Sequence, residues 1–240
     1  MGYEILLIGR QLKNSLEVNS PYKIIRFRLL FNKGLLFYAE YNLRLFFKLL
    51  FFKKKLLYAN DLDTLLPNFL VSKVSSCKLI YDSHEYFTEV PELITRPRTR
   101  SFWVKLESFI FPKLKNVITV NQKLAEIYSL QYKVPVTVIR NVSSTNQTKE
   151  FKSLTFLKKD QKMILYQGAL NMGRGLELMI DAMPYLKNYR LVLAGEGDII
   201  EPLKLRIKEK QLKDRVIFLG KLQPDELVNL TKQAELGLSL

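Results

Sequence analysis

The stretch Lys162-Met163-Ile164-Leu165-Tyr166-Gln167-Gly168-Ala169-Leu170-Asn171-Met172-Gly173-Arg174-Gly175 decides the fold. Its first six residues form a short apolar run, its glycines mark a turn, and apolar residues then return at helical spacing over 176–186. The segment therefore reads as strand, glycine-rich loop and helix. Glycines in such a loop let a backbone approach a phosphate, a helix start offers N–H groups, and Arg174 adds a bidentate phosphate contact. The same residues also fit a tight turn with no ligand.

Downstream the alternation continues, with strands expected over 190–194, 216–219 and 236–240 and helices over 200–210 and 225–233. Gly195-Glu196-Gly197 closes one of these strands, where it either lines the same ligand edge or makes a plain strand-to-helix turn. Upstream, strands are expected over 3–8, 23–27, 56–59, 78–82, 116–120 and 137–140. Apolar stripes mark helices over 62–74 and 99–111, the second ended by Pro112. Strands that alternate with helices predict an α/β protein with parallel sheets. Between the two series the sequence turns polar (Ser143, Ser144, Thr145, Asn146, Gln147, Thr148) and loses its periodicity. Two domains are therefore expected, 1–145 and 162–240, with a connection over 146–161.

Asp82-Ser83-His84-Glu85 directly follows the strand over 78–82, which places its side chains at the carboxyl edge of the sheet, where open α/β folds bind ligands. His84 is the one histidine of the chain, and its ordinary pKa lets it exchange a proton near neutrality. A capping or packing role fits it as well. Asp61-Leu62-Asp63 resembles a paired-aspartate metal site, but Asn60 and Asp61 stand where a helix should start. Capping and the helix dipole account for them, and no second acidic cluster accompanies them. No metal site is expected.

Composition narrows the remaining classes. The 240 residues are 48% hydrophobic, ample for two cores. Cys77 is the one cysteine, which excludes an internal disulfide and a Cys-rich zinc site. The net charge of +15 is concentrated upstream, residues 1–140 holding 22 Lys and Arg against 11 Asp and Glu. Such a surplus favours anionic partners. The aromatic, lysine-rich segment over 35–55 is too interrupted to span a bilayer, because Glu40, Asn42, Arg44 and Lys48 break it. It reads either as an ordinary domain helix or as a basic amphipathic helix on a membrane surface. With no charged leader before the first strand, a cytoplasmic location is expected.

Taken together, Asp82-Ser83-His84-Glu85, Val138-Ile139-Arg140-Asn141, the run from Tyr166 through Gly175, Leu193-Ala194-Gly195-Glu196-Gly197 and Val216-Ile217-Phe218-Leu219-Gly220 resemble glycosyltransferase family four. The resemblance covers nearly the whole chain. It implies the GT-B fold, two Rossmann-like domains facing across a cleft, with acceptor held by the first and nucleotide-sugar donor by the second. It also implies transfer with retention and without a metal or other cofactor. In that scheme His84 sits near the donor sugar and Arg174 holds the diphosphate. Gly168, Gly173 and Gly175 shape the phosphate loop, Gly195 and Gly197 the loop under the sugar, and Gly220 and Lys221 lie beside the base.

Three departures from the family pattern stand out. Ala169 replaces a usual arginine, so Arg174 is the one basic phosphate ligand expected. The pattern begins with a strand and glycine loop upstream of residues 3–8, and it ends with two glutamates, eight positions apart, beyond the strand that begins at Leu236. Both domains are therefore expected to be incomplete, and the 240-residue chain inactive or nearly so.

The function implied is sugar transfer to a carbohydrate or lipid-linked acceptor in cell-envelope polysaccharide synthesis, at the inner face of the cytoplasmic membrane. Contact with anionic membrane is a further expected partnership. Two alternatives stand beside it: a basic non-enzymatic membrane-surface protein, and another GT-B enzyme such as a sugar-nucleotide epimerase. Nucleic acid is not an expected partner, because the aromatic residues lie in apolar helix and strand patterns.

Overall fold

Ten short strands and eight helices alternate along the chain in the computed structural model, which describes residues 2–13, 15, 17–142, 157 and 160–239. Contacts divide it into Met1–Val142 and Ser143–Leu240. The polar connection expected over 146–161 lies outside the described residues, apart from 157, 160 and 161.

In the first unit β1 (Leu6–Arg10) pairs in parallel with β2 (Lys23–Phe27). A separate four-stranded parallel sheet runs in the order β3 (Leu56–Asn60), β4 (Lys78–Ser83), β5 (Val117–Thr119) and β6 (Val136–Val138). Within that four-stranded sheet each crossover between consecutive parallel neighbours runs through a helix. Helix α1 (Gly34–Phe51) leads from β2 to β3, and the crossovers carry α2 (Leu62–Ser75), α3 (Pro91–Ile94), α4 (Pro97–Ile110) and α5 (Gln122–Tyr132). Leu57 on β3 packs with Tyr41, Leu45 and Leu49 of α1 and Val71 of α2, while Ala59 on β3, Tyr81 on β4 and Val117 on β5 line a second core. There Leu65 and Phe69 of α2, Trp103 and Ile110 of α4, and Tyr128 of α5 close the core.

Pro67 lies inside α2. Proline has no N–H for the carbonyl four residues earlier, that of Asp63. The missing donor comes from α1: the Asn42 Nδ2 amide donates to the Asp63 carbonyl at 2.9 Å and to the Tyr38 carbonyl at 2.9 Å. One side chain thus completes the α2 ladder and ties the two helices together.

A second polar feature is buried between α4 and α5. Glu107 is 1% exposed and accepts a hydrogen bond from the Tyr132 hydroxyl. Burial pushes its carboxyl up to about 7, with the Tyr132 bond pulling the other way.

The second unit is one parallel sheet in the order β10 (Leu236–Leu238), β7 (Lys162–Gln167), β8 (Tyr189–Ala194), β9 (Val216–Gly220). Its central strands are apolar at consecutive positions because both faces are covered. Ile164, Tyr166, Leu191 and Leu193 pack with α6 (Leu176–Ala182) and α7 (Ile200–Glu209), while Met163, Leu165 and Val192 pack with Leu230 of α8 (Pro224–Lys232). The helix expected over 176–186 tightens to a 3₁₀ turn at Met183–Tyr185, because Pro184 has no N–H to continue the α ladder.

Candidate functional site

The carboxyl edge of the first unit's sheet gathers Asp61 after β3 and the Asp82–Glu85 segment after β4. In the register of that pair Asn60 stands opposite Asp82, so Asp61 and the residues after Asp82 emerge side by side. Ser83 is fully buried and anchors the turn: its hydroxyl donates to the Glu85 carbonyl at 3.0 Å and shares a hydrogen bond with the Tyr128 hydroxyl at 2.9 Å. Thr119 on β5 donates to the Ser83 carbonyl at 2.7 Å. These contacts hold His84 at the edge.

His84 is bracketed by two carboxylates. Its backbone N–H donates to Asp61 Oδ1 at 2.9 Å, its Nδ1 lies 3.2 Å from Asp61 Oδ2, and its Nε2 lies 3.3 Å from Asp82 Oδ2. Partial burial opposes a charged ring, but the two carboxylates outweigh it and hold the imidazole pKa above its ordinary value. Asp82 is fixed in turn by the Tyr58 hydroxyl, which donates to its Oδ2 at 2.6 Å. Burial and that carboxylate push the Tyr58 hydroxyl up to about 12. The Asp63 carboxyl is pushed up to about 6, by burial and then by the charge on Asp61.

This arrangement corrects the capping expectation for Asn60 and Asp61. Asp61 is the residue before α2, yet its side chain makes no capping hydrogen bond and its backbone sits at φ 56° and ψ 169°. That region is strained for any residue with a Cβ, by about 1–3 kcal/mol. The strain turns the carboxylate away from the helix start and onto His84. The sequence marked both residues without joining them, and the usable signal was their place at the ends of neighbouring parallel strands.

In the second unit the predicted glycines stand at the carboxyl ends of three adjacent strands. Gly168 follows β7, Gly195 follows β8, and Gly220 ends β9 opposite Ala194. Gly195 has φ +154°, and a Cβ built on it would stand 1.8 Å from the Gly168 carbonyl oxygen; one on Gly197 would stand 2.2 Å from that of Leu170. The two loops are therefore packed backbone to backbone. They are also bonded: the Gly168 N–H donates to the Ala194 carbonyl at 3.0 Å and the Leu170 N–H to that of Glu196 at 2.9 Å. Gly195 and Gly197 are required by this close approach, before any ligand is considered.

Gly173 and Gly175 adopt φ of 83° and 63°, and Gly175 stands directly before α6. Arg174 lies between them, exposed, as does Lys221 in the turn after Gly220. His84 thus belongs to the first unit's sheet edge, and the other predicted residues to that of the second.

Residues 146–238 match the family profile described as glycosyl transferases group 1. Over 82 residues the chain is 37% identical to an uncharacterized glycosyltransferase, MJ1607, of Methanocaldococcus jannaschii, an alignment that takes in 33% of this chain and 21% of that protein. Among solved structures, the sucrose-phosphate synthase of Thermosynechococcus elongatus matches 98% of this chain and 65% of its own with a TM-score of 0.71 at 19% identity. Anabaena Alr3699/HepE, solved in complex with UDP-glucose, matches 90% of this chain and 60% of its own with a TM-score of 0.66 at 20% identity. At such identities the likeness concerns the fold, two Rossmann-like domains of the GT-B type. The chain spans about 65% or less of the length of each of these proteins.

Proposed function

We infer, from a chain whose residues 146–238 match the glycosyl transferases group 1 profile, that the protein moves a sugar from a nucleoside-diphosphate sugar to a carbohydrate or lipid-linked acceptor. The observation that carries this reading is the loop pair of the second unit. Gly168 and Gly195 bring two strand ends into backbone contact at a sheet's carboxyl edge, the place where α/β sheets bind nucleotides. In the reaction the bond from anomeric carbon to phosphate oxygen breaks, the diphosphate leaves with its electron pair, and the acceptor oxygen forms the new bond as its proton passes to the departing diphosphate oxygen. Arg174 bears the growing charge on the diphosphate, which is where fixed positive charge contributes most to rate.

The finer elements of the proposal are retention at the anomeric carbon, independence from a metal ion, and a place in cell-envelope polysaccharide synthesis on the cytoplasmic side. Engagement of Asp61 and Asp82 with His84 supports the second of these, because it commits both carboxylates to the ring. Gly173 and Gly175 give the loop its shape, Gly197 supports it from below, and Lys221 with Gly220 faces the nucleoside.

The test is to incubate the protein with labelled nucleotide sugars, with and without simple glycoside acceptors, in the presence of chelator. Binding of at least one nucleoside diphosphate is the expected result, and any release of it should depend on acceptor and keep the donor's anomeric configuration in the product. Conversion of one nucleotide sugar into another without acceptor would replace this reading with an epimerase. Failure to bind any nucleoside diphosphate would remove it.

A further inference from the structure

Helix α1 is apolar on two opposite sides. Tyr41, Leu45 and Leu49 face inward and are at most 8% exposed, whereas Leu36, Leu43, Phe47 and Phe51 are 56%, 59%, 49% and 82% exposed. At 3.6 residues per turn the outward four fall in one stripe, roughly opposite the inward three. An ordinary domain helix carries polar residues on its outer face. This one carries leucine and phenylalanine along its length.

The surroundings of the stripe are basic. Residues 26–55 include eight Lys and Arg (Arg26, Arg28, Lys33, Arg44, Lys48, Lys53, Lys54, Lys55) against a single acid, Glu40. That acid is already engaged: its carboxylate accepts from the Leu30 and Phe31 N–H groups at 2.9 and 3.0 Å and pairs with Arg44 at 2.6 Å. Leu30 and Phe31, themselves exposed, are thereby held beside α1. An open groove of about 460 Å³ lies between Phe27, Phe47, Phe51 and Phe52, with Arg44 and Lys48 on its wall. Aromatic floor and cationic wall suit an acyl chain and its phosphate headgroup.

We propose that this outer face of α1 is a peripheral docking surface for a bilayer rich in anionic lipid. Phe47 and Phe51 enter the boundary between headgroups and acyl chains, and Lys48, Lys53 and Lys55 sit among the lipid phosphates, while Lys54 donates to the Leu50 and Phe52 carbonyls at the end of α1. No helix among the described residues is long and apolar enough to cross a membrane, so the contact lies along the surface. The argument rests on the surface of the first unit alone and does not depend on the transferase reading.

The experiment is cosedimentation of the full chain with vesicles of equimolar phosphatidylglycerol and phosphatidylcholine, against vesicles of phosphatidylcholine alone. Binding to the anionic vesicles that weakens as salt is raised is expected. The double variant Lys53→Gln, Lys55→Gln should bind roughly 25-fold more weakly, at about fivefold per lysine. Phe47→Gln with Phe51→Gln should lose about tenfold, and both substitutions are at exposed positions, so circular dichroism should be unchanged. Neutralising Lys73, Lys78 and Lys113, which line a different hollow, should leave binding within twofold. Equal loss in that control, no loss in the phenylalanine pair, or no binding to anionic vesicles overturns the proposal. So does a dimer, seen by sedimentation without lipid, that Phe47→Gln with Phe51→Gln disperses, because the face would then join two copies of the chain.

Discussion

Asp61 and His84 are joined twice, the His84 backbone N–H donating to Asp61 Oδ1 at 2.9 Å while the ring Nδ1 lies 3.2 Å from Asp61 Oδ2. One carboxylate thus fixes both the position of the residue and the orientation of its ring. With Asp82 3.3 Å from Nε2, each ring nitrogen faces an acceptor, which favours the doubly protonated imidazolium. The two carboxylates thus bias the ring toward its charged, doubly donating form.

The charge state is directly measurable. Because the chain has one histidine, a single imidazole proton resonance follows its titration. Its pKa should lie above that of an exposed histidine and fall in Asp61→Asn. A raised histidine pKa adds stability below the unfolded-state pKa, and this is lost as pH rises through the folded-state value. A wild-type pKa at or below the ordinary value would contradict the bracketing.

Glu107 gives a pH dependence that also weakens as pH rises. Its folded pKa of about 7 exceeds that of the unfolded chain, so the native state favours the proton. The stability it contributes is complete below about pH 4.5 and declines as pH rises through about 7. Glu107→Gln keeps an acceptor for Tyr132 and removes the buried charge. It should stabilise the first unit by about 2–3 kcal/mol at pH 8 and by little at pH 4.5. Urea unfolding followed by Trp103, the one tryptophan, checks this; a loss of stability at pH 8 would contradict it.

Asn42 and Pro67 should be energetically coupled through the Asp63 carbonyl. Asn42→Ala leaves the Asp63 carbonyl without its donor, at a cost of about 1–3 kcal/mol. In a Pro67→Ala background the restored N–H serves that carbonyl, and the cost of Asn42→Ala should shrink. A double-mutant cycle on the Trp103 transition reads the coupling. Strict additivity would mean that Asn42 does not stand in for the missing proline N–H.

The loop pair of the second unit predicts unequal glycine substitutions. Gly195→Ala drives a Cβ into the Gly168 backbone and should cost at least about 2–4 kcal/mol. Gly220→Ala, at φ +66° but with open space around it, should cost about 1–2 kcal/mol. Thermal melting of the second unit's transition orders the two, and equal losses would show that the backbone contact is not what demands Gly195.

Much of this molecule was legible before any coordinates. Strands β7, β8 and β9 are apolar on consecutive positions and punctuated by glycine, so their number, type and order followed from the sequence. The edge position of His84 followed from the strand before it. What did not follow depends on neighbours distant in the chain. Asp61 has the residue type and location of a helix cap, and only the adjacent strand end turns its carboxylate onto His84. The helix over 62–74 followed from its apolar stripe, but the donor that lets it carry Pro67 did not, because it comes from Asn42, 25 residues earlier. Gly195 and Gly197 carry the pattern of a ligand loop, while their requirement for glycine comes from the Gly168 and Leu170 backbones.

The central claim is that the glycine loops of the second unit bind a nucleoside diphosphate, and it is tested most directly by amide chemical-shift mapping. UDP, GDP and ADP are added in turn to isotopically labelled chain. At least one of them should shift the amides of Gly168, Gly173 to Gly175, Gly195 and Gly220, and leave residues 1–142 largely still. Arg174→Ala should weaken that binding about tenfold to a hundredfold, the loss of one charged hydrogen-bonding partner, and His84→Ala should leave it within twofold. No shift with any nucleotide, or shifts gathered in the first unit, would contradict the account.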